Sequence, residues 1–185
     1  MLEVEMKFPL ADAERFRRQL DASGAELSET RSDEDCYFNA PDRDFAKTDE
    51  ALRLRRIGDA NYFTYKGPKR DRQTKTRTEI ELPIEPGDHG ATLGAGLLTS
   101  LGYRFVATIK KKRAVFHVKR SGFDVEVCVD EVEGVGAFAE LEILAPEDQL
   151  ERARAEVLEF AKQLNLTNSE RRSYLEMWLE KHRGA

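Results

Sequence analysis

Apolar and polar side chains alternate with period two along much of this chain, between segments with helical spacing. At the start, Leu2, Val4, Met6 and Phe8 alternate with Glu3, Glu5 and Lys7, which predicts a strand with one apolar and one charged face. Similar alternation predicts strands over 27–38, 51–57, 61–66, 75–85, 103–119, 123–132 and 136–144. Turn signals fall at Asn39-Ala40-Pro41-Asp42, Gly58-Asp59 and Ser121-Gly122. Four amphipathic helices are expected between them. The first ends near Ala22 with Phe16 and Leu20 inward, and the second spans 87–101 with a stripe of Leu93, Leu97, Leu98 and Leu101. The third runs from Pro146 to Leu164 with Leu150, Val157, Leu158 and Leu164 inward. The last, 169–182, carries Tyr174, Leu175, Trp178 and Leu179. About eight mostly antiparallel strands and four helices make an α+β fold, expected to form one domain over 1–185, a length that can bury a sizeable core.

The charged faces are sorted by sign. Arg53 and Arg55 share one face of their strand, and Lys111 and Arg113 one face of theirs. Acidic pairs stand at Glu3 and Glu5, Glu79 and Glu81, and Glu140 and Glu142, with Glu126 and Asp130 on a further strand. Like charges two apart on a strand repel one another. Such segregation suits a polyanion held by Arg and Lys together with divalent cations held by carboxylates. The pattern fits an open sheet with its charges in solvent, or a sheet closed around them, since closure removes exposed edges.

The series Glu3-x-Glu5-x-Lys7, Arg53-x-Arg55, Thr64-x-Lys66-Gly67-Pro68, Glu79-x-Glu81, Lys111-x-Arg113 and Asp130-x-Val-x-Gly-x-Gly-x-Phe-x-Glu140-x-Glu142 resembles the CYTH domain, or triphosphate tunnel metalloenzyme, superfamily. The class IV adenylate cyclase branch is the most similar, through Asp35-Cys36-Tyr37-Phe38 and Ser173-Tyr174-Leu175-Glu176. The resemblance runs from Glu3 to about Glu176, with the motifs in family order. It implies a closed antiparallel eight-stranded β-barrel, a tunnel with a charged lumen flanked by amphipathic helices. It also implies a reaction on a triphosphate. In a cyclase, the ribose 3′-hydroxyl of ATP attacks the α-phosphorus, giving cyclic AMP and pyrophosphate. In a triphosphate hydrolase, water attacks the terminal phosphorus of inorganic tripolyphosphate, thiamine triphosphate or a nucleoside triphosphate.

The residues then take candidate roles. Arg53, Arg55, Lys66, Lys111 and Arg113 are the expected phosphate ligands. Glu3, Glu5, Asp130, Glu140 and Glu142 are the expected ligands of Mg²⁺ or Mn²⁺, which a carboxylate set without His or Cys favours over zinc. Glu3, Glu5, Lys7 and Lys66 are the candidate catalytic residues. Glu79, Glu81 and Glu126 are further metal ligands or countercharges to the arginines. A non-catalytic polyphosphate- or nucleotide-binding module and a structural barrel with internally paired charges are the competing readings.

Composition narrows the partners. A net charge of −5 argues against broad nucleic-acid binding, and no apolar run approaches a membrane span. Cys36 and Cys128 lack metal-type spacing, and no targeting segment is evident, so a cytoplasmic monomer or homodimer is expected. His89, His117 and His182 are scattered and read as surface residues, although His117 shares parity with Arg113. Gly90, Gly94 and Gly96 form no dinucleotide fingerprint and read as helix-packing positions. Tyr37, Tyr62 and Phe63 are expected in the core, with stacking on a base as the alternative. The 69–75 segment reads as a solvated loop, with closure over substrate as the alternative.

Overall fold

The computed structural model describes residues 2–69 and 76–182. Eight strands form one antiparallel sheet: β1 (Leu2–Leu10), β2 (Glu26–Asn39), β3 (Ala51–Ile57), β4 (Ala60–Lys66), β5 (Glu79–Ile84), β6 (Arg104–Arg120), β7 (Phe123–Val132) and β8 (Gly136–Ala145). Their order is β1-β8-β7-β6-β2-β3-β4-β5. The sheet curls until its two edges approach, and among the described residues they meet at one bridge, Glu3 with Arg77. The expected continuous ladder closing the barrel is therefore not seen among the described residues. The curled sheet still keeps the charged face inside. Helices α1 (Ala13–Ala22), α3 (Gly87–Ser100) and α4 (Leu150–Gln163) pack outside the sheet, α2 (Phe45–Thr48) is a single turn, and α5 (Tyr174–His182) lies across one end of the lumen. The α2 turn was not anticipated, because four residues carry no helical period. No described helix is long and apolar enough to cross a membrane.

The apolar strand faces and the helices make the core. Val4, Val125, Val127, Val129, Leu141 and Ile143 are fully or almost fully buried beneath Phe16 and Leu20 of α1 and Val157 and Phe160 of α4. Asp12 caps α1 by accepting from the Arg15 amide at 2.9 Å. The hairpin from β6 to β7 turns at Ser121 and Gly122, both with φ in the left-handed region, the conformation of a tight two-residue turn.

Helix α3 corrects the expected leucine stripe. Only Leu98 of the four is buried, whereas Leu93, Leu97 and Leu101 are more than half exposed. The helix packs instead on Gly90, Ala91, Gly94 and Leu98. A Cβ at Gly90 would stand 1.8 Å from the Glu85 carbonyl oxygen, and one at Gly94 would stand 2.9 Å from Ile84 Cδ1. Periodicity weights leucine over glycine, but here backbone approach decides the buried face. Gly90→Ala is expected to destabilise by about 2 kcal/mol or more, since backbone must move to admit the methyl group. Denaturant unfolding measures this.

Candidate active site

The inward faces of the strands line one cavity of about 520 Å³. Each lining side chain owes its position to strand parity, and register brings distant motifs together. Glu5 pairs with Glu142 and Lys7 with Glu140 across β1 and β8. Arg113 pairs with Asp130 across β6 and β7, and Asp35 with Arg55 across β2 and β3. Glu3, Glu5, Lys7, Arg53, Arg55, Lys66, Lys111, Arg113, Glu140 and Glu142 all line this cavity, as do Glu79, Glu81 and Glu126.

The acidic residues fall into two groups. Glu3, Glu5 and Glu142 each offer a carboxylate oxygen, and these oxygens lie within 4.8 Å of one another. Burial, opposed by Lys66, holds the Glu3 carboxyl well above its ordinary range. Burial and then the neighbouring Glu5 and Glu140 push Glu142 up to about 8. Three crowded carboxylates, two of which resist ionisation, fit a hard divalent cation, whose charge would favour their ionised forms. The second group is already engaged. Asp130 accepts two hydrogen bonds from Arg113, at 2.7 and 2.6 Å, and one from the Tyr174 hydroxyl at 2.8 Å. Glu140 accepts from the same guanidinium.

Cations divide in the same way. Arg55 grips Asp35 through Nε and Nη2 at 2.7 and 2.9 Å. Arg113 is fully committed to Asp130 and Glu140. By contrast, Arg53 reaches Asp35 only at 3.4 Å, and its Nε is buried without an acceptor among the described residues. Lys66 stands between Glu79 at 2.5 Å and Glu3 at 3.4 Å. Although burial opposes it, this ammonium keeps Glu79 ionised, at about 2. Lys111 has only long approaches, 3.6 Å to Asp33 and 3.7 Å to Asp130. Burial and then Arg113 lower its pKa. An added polyanion would favour its charged form.

Two cations that the sequence reading left out of the clamp also line the cavity. Arg77 Nε is buried without an acceptor among the described residues, and Arg31 is held by Glu29 and Asp33. Shared parity with Glu79 and with Asp33 was the available signal. Lys7 is buried and donates to the Arg172 carbonyl at 2.5 Å, with its ammonium 4.1 Å from the centre of the Tyr174 ring. It therefore fastens the segment entering α5. Of the aromatics, Tyr37 lines the cavity, whereas Phe63 packs outside against α3. His117 lies 3.5 Å from Asp124, and His182 stacks on Trp178. Residues 70–75, most of the expected loop, lie outside the described residues, while Lys69 bonds Asp49.

The sequence matches the CYTH domain over residues 1–174. This chain belongs to the CYTH family. A Methanocaldococcus jannaschii protein whose name proposes an adenylate cyclase is 39% identical over 181 residues, covering 96% of this chain and 98% of that protein. The adenylate cyclase CyaB of Aeromonas hydrophila is 31% identical over 178 residues, covering 93% and 86%. The solved structure of the Pyrococcus horikoshii protein PH1819 superposes with a TM-score of 0.84 at 36% identity, covering 97% of this chain and 99% of that one.

Titration of the Glu142 region gives a sign-defined prediction. Its folded pKa of about 8 stands above the ordinary 4.5. Its contribution to stability is thus full below about 4.5 and is lost as pH rises through about 8. In EDTA, the melting temperature is expected to fall between pH 6 and roughly 8.5. The rise produced by Mn²⁺ should grow over the same window, because cation binding displaces the proton. Scanning fluorimetry in both conditions checks this.

Proposed function

We propose that this chain is a divalent-cation-dependent enzyme that cyclises a nucleoside triphosphate, in the manner of a class IV adenylate cyclase. The carrying observation is a cavity with two kinds of lining. Its inner wall bears the carboxylates and cations described above. Towards α2, α5 and the adjacent ends of β2, β3 and β6 the lining adds Phe45, Leu52, Val106, Leu175 and Leu179, interspersed with polar residues such as Asp44, Asp49, Glu50 and Glu176. An inorganic triphosphate needs only the charged part, whereas apolar side chains with polar groups among them suit an organic ligand.

In this reading Glu3, Glu5 and Glu142 hold Mg²⁺ or Mn²⁺. The bound cation supplies charge stabilisation at the phosphate oxygens. Arg53, Arg77 and Lys111 clamp the triphosphate with donors that are spare or only weakly engaged, joined by Lys66, whose ammonium Glu79 holds in place, and Arg31 flanks them. Arg55 and Arg113 hold Asp35, Asp130 and Glu140 in place. Lys7 acts by positioning the α5 segment. The base lies against these apolar side chains, so the ribose 3′-hydroxyl faces the α-phosphorus. A bond then forms between O3′ and that phosphorus, the bond to the bridging oxygen breaks, pyrophosphate leaves, and the hydroxyl proton passes to solvent.

The test is incubation of purified protein with ATP, tripolyphosphate and thiamine triphosphate, each with Mg²⁺ or Mn²⁺, followed by identification of products. Cyclic AMP and pyrophosphate from ATP are expected. Orthophosphate release from tripolyphosphate without cyclic nucleotide would assign the site to a hydrolase. Ligand-induced thermal stabilisation without turnover would assign it to a binding module.

A further inference from the structure

Tyr174 opens α5 and lines the cavity wall. Ser173 and Glu176 box the start of that helix. The Glu176 carboxylate accepts from the Ser173 amide at 2.5 Å, and the Ser173 hydroxyl accepts from the Glu176 amide at 3.1 Å. Tyr174 is thereby fixed as the first helical residue, and its ring is buried against Phe138 with centroids 5.2 Å apart. Its hydroxyl donates to Asp130 Oδ2 at 2.8 Å. The same oxygen accepts from Arg113 at 2.6 Å and has the Lys111 ammonium at 3.7 Å. Two ammoniums also share the ring: Lys7 Nζ lies 4.1 Å and Lys111 Nζ 5.5 Å from its centre, within reach of the electron-rich face. One side chain thus meets an anchored carboxylate, a clamping lysine and the lysine that fastens the Arg172 carbonyl. The same helix carries Leu175 and Leu179 to the cavity.

We infer that Tyr174 is a positioning residue that sets the nucleoside side of the cavity in place against the triphosphate clamp. The inference rests on the nucleoside triphosphate reading above, and the two parts of the side chain do different things. The hydroxyl links α5 to the Arg113–Asp130 pair, so it fixes where Leu175 and Leu179 meet the organic part of the substrate. The ring holds Lys111 between Asp33 and Asp130, at 3.6 and 3.7 Å, beyond hydrogen-bond distance of either. That ammonium stays available to phosphate oxygens. Tyr174 acts through these neighbours rather than on the reacting atoms. Attack by O3′ on the α-phosphorus needs both halves of the substrate held in one frame, and a misplacement of about 1 Å can cost about 100-fold in rate.

Tyr174→Phe removes the hydroxyl and keeps the ring, whereas Tyr174→Leu removes both. Calorimetry with Mn²⁺ gives Kd for tripolyphosphate and for α,β-methylene-ATP, which cannot release pyrophosphate, and steady-state assays give kcat for ATP. Tyr174→Phe is expected to raise Kd for the analogue about fivefold, the worth of one hydrogen bond, and to leave tripolyphosphate within about twofold of wild type. Its kcat should fall about tenfold or more, through lost alignment. Tyr174→Leu should weaken tripolyphosphate about fivefold as well, through loss of the ring under Lys111. Trp178, the one tryptophan of the chain, lies on α5, and acrylamide should quench it more readily in Tyr174→Phe. If Tyr174→Phe matches wild type in every measure, or weakens both ligands alike as a merely structural loss would, the inference is overturned. Tripolyphosphate binding by Tyr174→Leu equal to that of Tyr174→Phe overturns the role of the ring, and should Tyr174→Leu unfold, Tyr174→Phe decides. A wild type that makes no cyclic AMP removes the reading beneath the inference, yet the two dissociation constants still judge Tyr174. Selective loss of the analogue in Tyr174→Phe supports it, and an unchanged ratio overturns it.

Discussion

Glu5→Gln and Glu3→Gln are each expected to lower cation-dependent turnover by at least about 100-fold, since even residues behind metal ligands are worth 10- to 100-fold. Both carboxylates stand within 4.8 Å of Glu142, in a cluster where Glu3 and Glu142 resist ionisation. Glutamine keeps the side-chain volume and takes one ionisable group out of this crowded cluster. Without added cation, the melting temperature should therefore hold or rise slightly. The stabilisation by Mn²⁺ should disappear along with the activity. Steady-state rates and thermal unfolding on the same preparations check this. Full turnover by either variant, or by the wild type in EDTA, would remove the cation from the proposed mechanism.

Inward and outward sorting was legible in the sequence because strand parity needs no knowledge of neighbours. Glu3, Glu5, Arg53, Arg55, Lys66, Lys111 and Arg113 reach one cavity on that basis alone. What parity cannot convey is register. The contact of Glu5 with Glu142, and the capture of Asp130 by Arg113, depend on pairing residues more than a hundred positions apart in one case and seventeen in the other. Hence the expected metal set of five separates into Glu3, Glu5 and Glu142 as a cluster, with Asp130 and Glu140 engaged by Arg113. Lys7 shows the same boundary. Its inward direction was readable, but its partner, the Arg172 carbonyl, lies 165 residues away. The α3 stripe failed for a different reason: two glycines set the closest approach, and hydropathy assigns them little weight.

Arg113→Met and Arg53→Met are expected to fail in opposite ways. Arg113 is 5% exposed and makes three short contacts with Asp130 and Glu140. Removing it strips Asp130 and Glu140 of their closest cation, leaving Asp130 only Lys111 at 3.7 Å, a loss of about 3–5 kcal/mol for a broken buried pair. Arg53, also buried, reaches Asp35 only at 3.4 Å and also interacts with Tyr37 and Glu79, and Asp35 keeps two hydrogen bonds from Arg55 after the substitution. Its removal should cost little stability. If its spare Nε–H and guanidinium charge meet substrate phosphate, kcat/KM should fall about tenfold or more, as hydrogen bonds to charged groups are worth roughly 1.5–3 kcal/mol. Arg53→Lys should recover only part of this, because an ammonium cannot reproduce a bidentate fork. Denaturant unfolding and kcat/KM for each variant, with and without tripolyphosphate, separate the two roles. A stable Arg113→Met, or an Arg53→Met with wild-type kinetics and lowered stability, would show that anchor and clamp have been assigned the wrong way round.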